Sequence, residues 1–137
     1  MWDLEAGKET LTLRGHKGIV LCLILSADSK WLFSAAHLEK NTFKMWDVEK
    51  GSVTRAVPGH TRAVTSLALS ADGKRLFSGS SDQTIKVWDL EAGKETLTLR
   101  VLTGGVNSLA SSADGKRLVS GGFDGTINLE AELAAAR

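Results

Sequence analysis

The stretch LSADGKRLFSGSSDQTIKVWD, residues 69–89, carries the pattern that decides the fold. Asp72 and Gly73 form a pair that tolerates the positive φ angles of a tight hairpin turn. A second polar turn, residues 81–84, separates two further β-prone runs. The unit around this stretch is therefore predicted to hold four short strands, at Ala63–Ser70, Arg75–Ser80, Ile85–Leu90 and Thr96–Arg100.

Three copies of this unit follow one another along the chain. Related stretches begin at Leu25, Leu69 and Ser111, and the sequence WDLEAGKETLTLR occurs at both residues 2–14 and 88–100. A divergent copy, WDVEKGSVTRAV, begins at residue 46. We place the repeats at about 5–48, 49–90 and 91–132 of a single domain, with a short tail at 133–137. Four antiparallel strands per repeat predict an all-β array whose neighbouring sheets bury each other's faces.

Composition excludes several classes of protein. The 137 residues include 17 Lys and Arg against 16 Asp and Glu, so the net charge of +1 argues against a nucleic-acid or anionic-membrane binder. The longest apolar run, Ile19–Leu25, has seven residues, far fewer than the roughly 20 of a membrane-spanning helix. No secretory signal is visible at the N-terminus, and the single cysteine fits a reducing compartment. We therefore expect a cytoplasmic protein.

The order of Gly-His, the LSADGK turn and SGSSDQTIKVWD is similar to that of the WD-repeat β-propeller family, over nearly the whole chain. The resemblance implies β-propeller blades of four antiparallel strands, with three blades in this chain. It also implies that a His, a Ser or Thr, an Asp and a Trp form a hydrogen-bonded chain inside each blade. The matching residues are His60, Ser78, Asp82 and Trp88 in the second unit, His16, Ser34 and Trp46 in the first, and Ser120 and Asp124 in the third. The first unit lacks the Asp, and the third has Leu102 for His and Glu130 for Trp.

The resemblance also makes the first strand of each repeat the outer strand of the preceding blade. Glu9–Leu13 is then an outer strand without a blade, whereas the last blade (Val106–Ser112, Arg117–Gly121 and Ile127–Leu129) lacks one. Because propellers typically have four to eight blades, three blades predict a ring closed by homo-oligomerisation. A dimer of six blades is favoured and a trimer of nine stays open, with the N-terminal strand completing the neighbour's last blade. The alternative is a truncated or designed repeat fragment with no role beyond self-assembly.

No catalytic constellation emerges from the sequence, and we expect neither an enzyme nor a cofactor or metal site. His16 and His60 hold the family's structural position, and His37 in a lengthened loop is either solvated or ligand-binding. Trp31 is either a contact residue or a surface aromatic. The apolar run Ile19–Leu25 is a strand buried on both faces, a subunit contact or an apolar channel wall.

The resemblance implies a rigid platform that binds a protein or peptide on one end of the blades. Phe123 is the most suggestive contact residue, since an aromatic replaces Ser81 of the middle unit and aromatic residues anchor interfaces. The expected partners are therefore further copies of the chain and an unidentified protein or peptide. The candidate partner-binding residues are Lys17, Leu38, Thr61, Arg62, Gln83, Thr103 and Phe123.

Overall fold

The computed structural model describes residues 1–37, 39, 42–101 and 104–131. Regular structure within these residues consists of thirteen β-strands in four antiparallel sheets. No described segment forms a helix long and apolar enough to cross a membrane. The predicted all-β fold is thus confirmed. Leu38, Leu102, Thr103 and the tail at 133–137 lie outside the described residues.

The first two blades are four-stranded sheets in which each strand pairs with the next along the chain. Their turns follow one design, in which Asp72 Oδ1 accepts from the Ser70 hydroxyl at 2.6 Å and from the Lys74 N–H at 3.0 Å. The first blade comprises β3 (Val20–Leu25), β4 (Trp31–Ala36), β5 (Thr42–Asp47) and β6 (Ser52–Pro58). The second comprises β7 (Val64–Leu69), β8 (Arg75–Ser80), β9 (Thr84–Asp89) and β10 (Lys94–Arg100).

Within the described residues, the third blade comprises three strands, β11 (Val106–Ser111), β12 (Arg117–Gly122) and β13 (Ile127–Ala131). β13 pairs with β12 on one side, and no strand of the described chain lies on its other side. No described residue therefore occupies the position of an outer strand.

The N-terminal segment forms a short hairpin of β1 (Trp2–Asp3) and β2 (Lys8–Glu9). Of the predicted outer strand over Glu9–Leu13, only Glu9 lies in a strand of the isolated chain. In the second blade, the equivalent residues 98–100 pair with residues 84–86 of β9. No described strand lies beside residues 12–14 in the same way. Without a partner strand, these residues have no ladder to join.

The blades stack face to face. Phe33, Ala35 and Phe43 of the first blade pack on Val64, Leu67, Leu76 and Trp88 of the second. Ala68, Phe77, Ile85 and Val87 on the second blade's other face pack on Val106 and Leu118 of the third. The Phe43 and Trp88 rings meet edge to face, with centroids 5.3 Å apart.

Two open interpretations of the first unit are decided by this packing. Trp31 packs against the core between the first two blades, so it is not a free surface aromatic. The run Ile19–Leu25 is not buried on both faces, because Cys22 and Ile24 point into the core while Leu23 is 60% exposed.

Candidate functional site

The second blade contains a chain of hydrogen bonds that links four side chains. The Trp88 indole N–H donates to Ser78 Oγ at 2.8 Å, and Ser78 Oγ lies 2.7 Å from His60 Nε2. Because the indole can only donate, the Ser78 hydroxyl gives its own proton to His60 Nε2. His60 Nδ1–H is then the donor to Asp82 Oδ2, 3.0 Å away. Asp82 also accepts from the Thr84 hydroxyl and N–H, so each group in the chain has a partner.

Burial and hydrogen bonding together determine which side chains of this hydrogen-bond chain are protonated. Burial lowers the pKa of His60 below its ordinary value, although the Asp82 carboxylate opposes that shift. Burial also acts to raise the pKa of Asp82, but hydrogen bonds from the Thr84 hydroxyl and the Thr61 N–H outweigh it, and the pKa is lowered. A neutral imidazole and an ionised carboxylate result, which is the state that the hydrogen-bond geometry requires.

The first blade has the same chain with Glu39 at its end. Trp46 donates to Ser34 Oγ at 2.8 Å, and Ser34 Oγ lies 2.5 Å from His16 Nε2. His16 Nδ1 contacts Glu39 Oε2, and Glu39 Oε1 accepts from the Lys17 N–H at 2.7 Å. Glu39 therefore does in this blade what Asp82 does in the next, a role that sequence analysis missed.

The electrostatics of Glu39 match its role. Burial acts to raise the pKa of Glu39, but the hydrogen bonds from His16 and the Lys17 N–H, with the nearby Lys44 ammonium, hold it below its ordinary value. The loop that carries Glu39 is two residues longer than its counterpart, so matching position by position cannot find it. A search for any carboxylate within this loop would have done so.

The third blade has an incomplete chain. Ser120 is buried, and its hydroxyl has no hydrogen-bond partner among the described residues. Asp124 Oδ1 accepts from the Thr126 N–H at 3.0 Å and from the Thr126 hydroxyl at 2.6 Å. Ser120 pairs with Asn128 in the ladder, as Ser78 pairs with Lys86, so its position in the blade is the same.

The glycine of each Gly-His pair makes room for the tryptophan of its blade. A Cβ atom on Gly59 would lie 2.4 Å from Trp88 Cη2, and one on Gly15 would lie 2.8 Å from Trp46 Cη2. Any larger residue would push the indole away from its serine.

The candidate partner-binding residues are only partly brought together. Lys17, Thr61, Arg62, Gln83 and Phe123 are exposed, and Leu38 and Thr103 lie outside the described residues. Among them, Phe123 lines a cavity of about 390 Å³ at one end of the three inner strands.

This cavity is built from equivalent positions of the three repeats. Leu21, Thr65 and Asn107 come from the inner strands, and His37, Ser81 and Phe123 from the turns after the second strands. Their spacings of 44 and 42 residues are the repeat spacings, a signal that sequence analysis did not use. His37 is exposed, and it lines the same cavity as Phe123.

The two outer faces of the three-blade row are apolar and open. On the first blade, Val20 and Leu23 are 47% and 60% exposed, whereas their equivalents Val64 and Leu67 are 1% and 7% exposed. We call this surface, with the half-buried Leu32, the first-blade face. Leu11 and Leu13 of the N-terminal segment line a cavity of about 360 Å³ on it.

The surface at the other end is the third-blade face, formed by Ala110, Val119 and Ile127. Ile127 is 78% exposed, whereas its equivalent Ile85, between the second and third blades, is fully buried. Each open face thus has the residue pattern of a surface that is buried elsewhere in the same chain.

Two observations on the described residues concern metal ligands and the thiol of Cys22. They include no group of three or more His, Cys, Asp or Glu side chains that could hold a metal ion. Burial raises the pKa of the Cys22 thiol to about 11, which keeps the thiol protonated at neutral pH.

Repeated four-stranded blades with a Trp–Ser–His–carboxylate chain define the class of WD-type β-propeller proteins. The family model "WD domain, G-beta repeat" matches residues 7–47, 51–89 and 93–129, so the chain belongs to this family. No curated protein matches the sequence.

Two solved structures are similar to this chain over most of its length. A structure of U3-55K and a crystal structure of the RRP9 WD40 repeats each superpose with a TM-score of 0.81 at 29% identity. Each match covers 90% of this chain but 38% of the other. The chain therefore spans well under half the length of these relatives.

Proposed function

We propose that this chain is a non-catalytic scaffold that binds a protein or peptide, and that it closes into a propeller by binding further copies of itself. The observation that carries the proposal is the pair of open apolar faces at the two ends of the blade row. Family membership supports a scaffold, because propellers of this kind serve as interaction platforms far more often than as enzymes.

The occupant of each face is a second copy of the chain. The first-blade face repeats the residues with which the second blade meets the first, and the third-blade face repeats those with which the second meets the third. Stacking the third blade of one copy on the first blade of another therefore makes the same kind of contact as the two interfaces inside the chain. A head-to-tail contact of this kind leaves no apolar face open once the ring closes.

The position of the N-terminal segment supports its proposed role as the outer strand of the neighbour's third blade. Leu97 and Leu99 of β10 pack against the core between the second and third blades, and the equivalent Leu11 and Leu13 lie over the first-blade face. In the assembly, residues 9–13 would be the outer strand beside β13 of the neighbour. This pairing would provide the ladder that residues 12–14 lack in the isolated chain.

Closure determines the number of copies. Two copies give six blades and three give nine, and propellers commonly have four to eight. We propose the dimer, with the trimer as the alternative, in the cytoplasmic compartment expected from the sequence.

A pair of matched variants tests self-assembly. Leu23→Glu puts a carboxylate on the first-blade face, and Val53→Glu puts one on the exposed outer strand, where the other copies of the motif have glutamate. We expect Leu23→Glu to reduce the mass in light scattering to that of one chain and Val53→Glu to leave the wild-type mass unchanged. If both variants keep the mass of the wild type, the first-blade face is not the contact.

A second experiment tests the binding platform. Peptides selected from a displayed random library against the wild-type chain should lose about tenfold or more of their affinity for Phe123→Ala. The Val53→Ala variant, altered away from the cavity, should bind them as the wild type does. Selected peptides that bind Phe123→Ala equally well would remove this cavity from the proposed function.

A further inference from the structure

The buried Ser120 hydroxyl and the exposed Trp2 indole belong to the two residue types that are hydrogen-bonded to each other in the first two blades. Ser34 and Ser78 each accept a hydrogen bond from a tryptophan indole at 2.8 Å. Ser120 occupies the same place in the third blade, is 1% exposed, and has no partner among the described residues. A buried hydroxyl without a partner is costly, so a donor is expected beside it.

The third blade has no tryptophan at the position that provides this donor in the other two blades. Leu118 pairs with Glu130 in the ladder, at the place where Leu76 pairs with Trp88 and Leu32 with Trp46. A glutamate thus stands in the sequence where the other two blades have an indole.

The N-terminal hairpin carries a tryptophan without a blade. Trp2 is 66% exposed and pairs with Glu9, and Asp3 pairs with Lys8. In the second blade, Trp88 pairs with Glu95, and Asp89 with Lys94, in the same register. The hairpin therefore reproduces the outer corner of a blade, including its tryptophan.

We infer that Trp2 of one copy supplies the missing tryptophan of another copy's third blade and donates its indole N–H to Ser120 there. The inference rests on the proposed self-assembly and specifies its closing contact. Trp2 would lie opposite Leu118, and Asp3 opposite Arg117, as Asp89 lies opposite Arg75. The donor must come from another copy, because the hairpin lies over the first-blade face and the second blade separates it from the third.

The exchange requires Glu130 and Ala131 to leave the edge of β12, and Met1 to give up its backbone hydrogen bonds to Thr10 and Leu11, where Leu129 takes its place. The ladder positions that Glu130 and Ala131 hold, opposite Leu118 and Arg117, pass to Trp2 and Asp3, so backbone pairing is replaced by equivalent pairing. The closing strand is then composite, with residues 127–129 of one chain followed by residues 2 and 3 of the next. The gain is a partner for Ser120 and an acidic residue beside Arg117.

A disulfide tests this register directly. Opposed residues in antiparallel strands have Cα atoms about 4.5–5.5 Å apart, within the range that a disulfide spans. The background is Cys22→Ser, which copies Ser66 and Ser108 of the other repeats. We expect the Asp3→Cys/Arg117→Cys variant to form covalent multimers under mild oxidation. The control Asp3→Cys/Arg75→Cys should not, because Asp89 of the same chain already lies beside residue 75.

A double-mutant cycle tests the hydrogen bond itself. Trp2→Phe and Ser120→Ala should each weaken assembly about tenfold, measured as the dissociation constant in sedimentation equilibrium. The double variant should be little weaker than either single variant, because both remove the same contact. Independent, multiplying effects would overturn the inference.

The outcomes separate the two proposals. A wild-type chain of single mass at all concentrations overturns both self-assembly and the trans contact. A multimeric wild type whose Asp3→Cys/Arg117→Cys variant forms no intermolecular disulfide keeps self-assembly and overturns only the contribution of Trp2.

Discussion

At the scale of single residues, each complete blade is organised around one serine hydroxyl. Ser78 accepts from an indole and donates to an imidazole, so its rotamer and the register of three strands are determined together. In the first blade Glu39 replaces the aspartate, and its longer side chain reaches His16 from a longer loop. The chain of bonds therefore tolerates a change of residue as long as a carboxylate ends it.

Two non-glycine turn residues, Ser29 and Gln83, have the positive φ that favours glycine, and Ser29 offers the clearer comparison. Ser29 has a φ of 62°, where the equivalent turns of the other units have Gly73 and Gly115 with φ of 71° and 72°. Ser29→Gly should raise the free energy of unfolding by about 1 kcal/mol, because the left-handed conformation is about that much less favourable for a residue with a side chain than for glycine. Urea denaturation measures the change, and the reverse substitution Gly73→Ser should lower stability by a similar amount. No gain for Ser29→Gly would mean that the turn relaxes.

Acid should destabilise the fold through the second blade. The pKa of His60 is lowered from its ordinary value of 6.5, so below that pH the unfolded chain binds a proton that the folded chain resists. Stability is therefore present above about pH 6.5 and falls as the pH decreases toward the folded pKa. The lowered pKa of Asp82 adds a further loss below its ordinary value of 3.8.

Urea midpoints at two pH values check this dependence. The wild type should lose stability between about pH 7.5 and 5.5, and His60→Gln should show a smaller loss. The variant His37→Gln, which replaces an exposed histidine outside the hydrogen-bond chain, serves as the control for the substitution itself. A wild-type midpoint that is constant over this range would contradict the assignment of a neutral, buried His60.

Single residues also show how far sequence reasoning reaches. The tryptophans, serines and histidines that resemble the family pattern occupy equivalent positions in the first two blades. A shift of one residue along a strand would turn these side chains to the other face of the sheet, so their positions within the strands are restricted. Leu21, Thr65 and Asn107 were missed, because a bulge in each inner strand disturbs the alternation that would identify which way they face.

At the scale of secondary-structure elements, the strands differ in how much of their pairing the chain itself provides. β4, β5, β8, β9 and β12 have neighbours on both sides, whereas β13 has a neighbour on one side only among the described strands. The strand positions were predictable from turn residues and alternation. The short extent of β1 and β2 was not, because a strand needs a partner that sequence periodicity does not report.

The edge of β13 that no described strand covers should be detectable by hydrogen exchange. In the assembled wild type, the amides of residues 127–129 should exchange about as slowly as those of β9, because a neighbour's strand covers them. In Leu23→Glu they should exchange much faster, since the exposed edge is left open to water. The amides of β8 serve as an internal reference and should be protected in both proteins. Equally fast exchange of β13 in both proteins would show that its edge stays unpaired.

At the scale of the whole molecule, the chain is a row of blades with two complementary ends. The repeat makes every blade interface alike, so a surface that meets a neighbour inside the row can also meet another copy. The same arrangement places Trp2 near one end of the row and Ser120 near the other. Closure would therefore bury apolar surface and satisfy a buried hydroxyl in one contact.

The molecular mass of the wild-type chain in solution, measured by light scattering, tests this account most directly. One chain has a mass of 14.6 kDa, and we predict twice that value for a six-bladed ring, or three times for nine blades. The mass should stay constant on dilution until the ring dissociates into single chains. A stable, folded species of 14.6 kDa at every concentration would contradict closure by self-assembly.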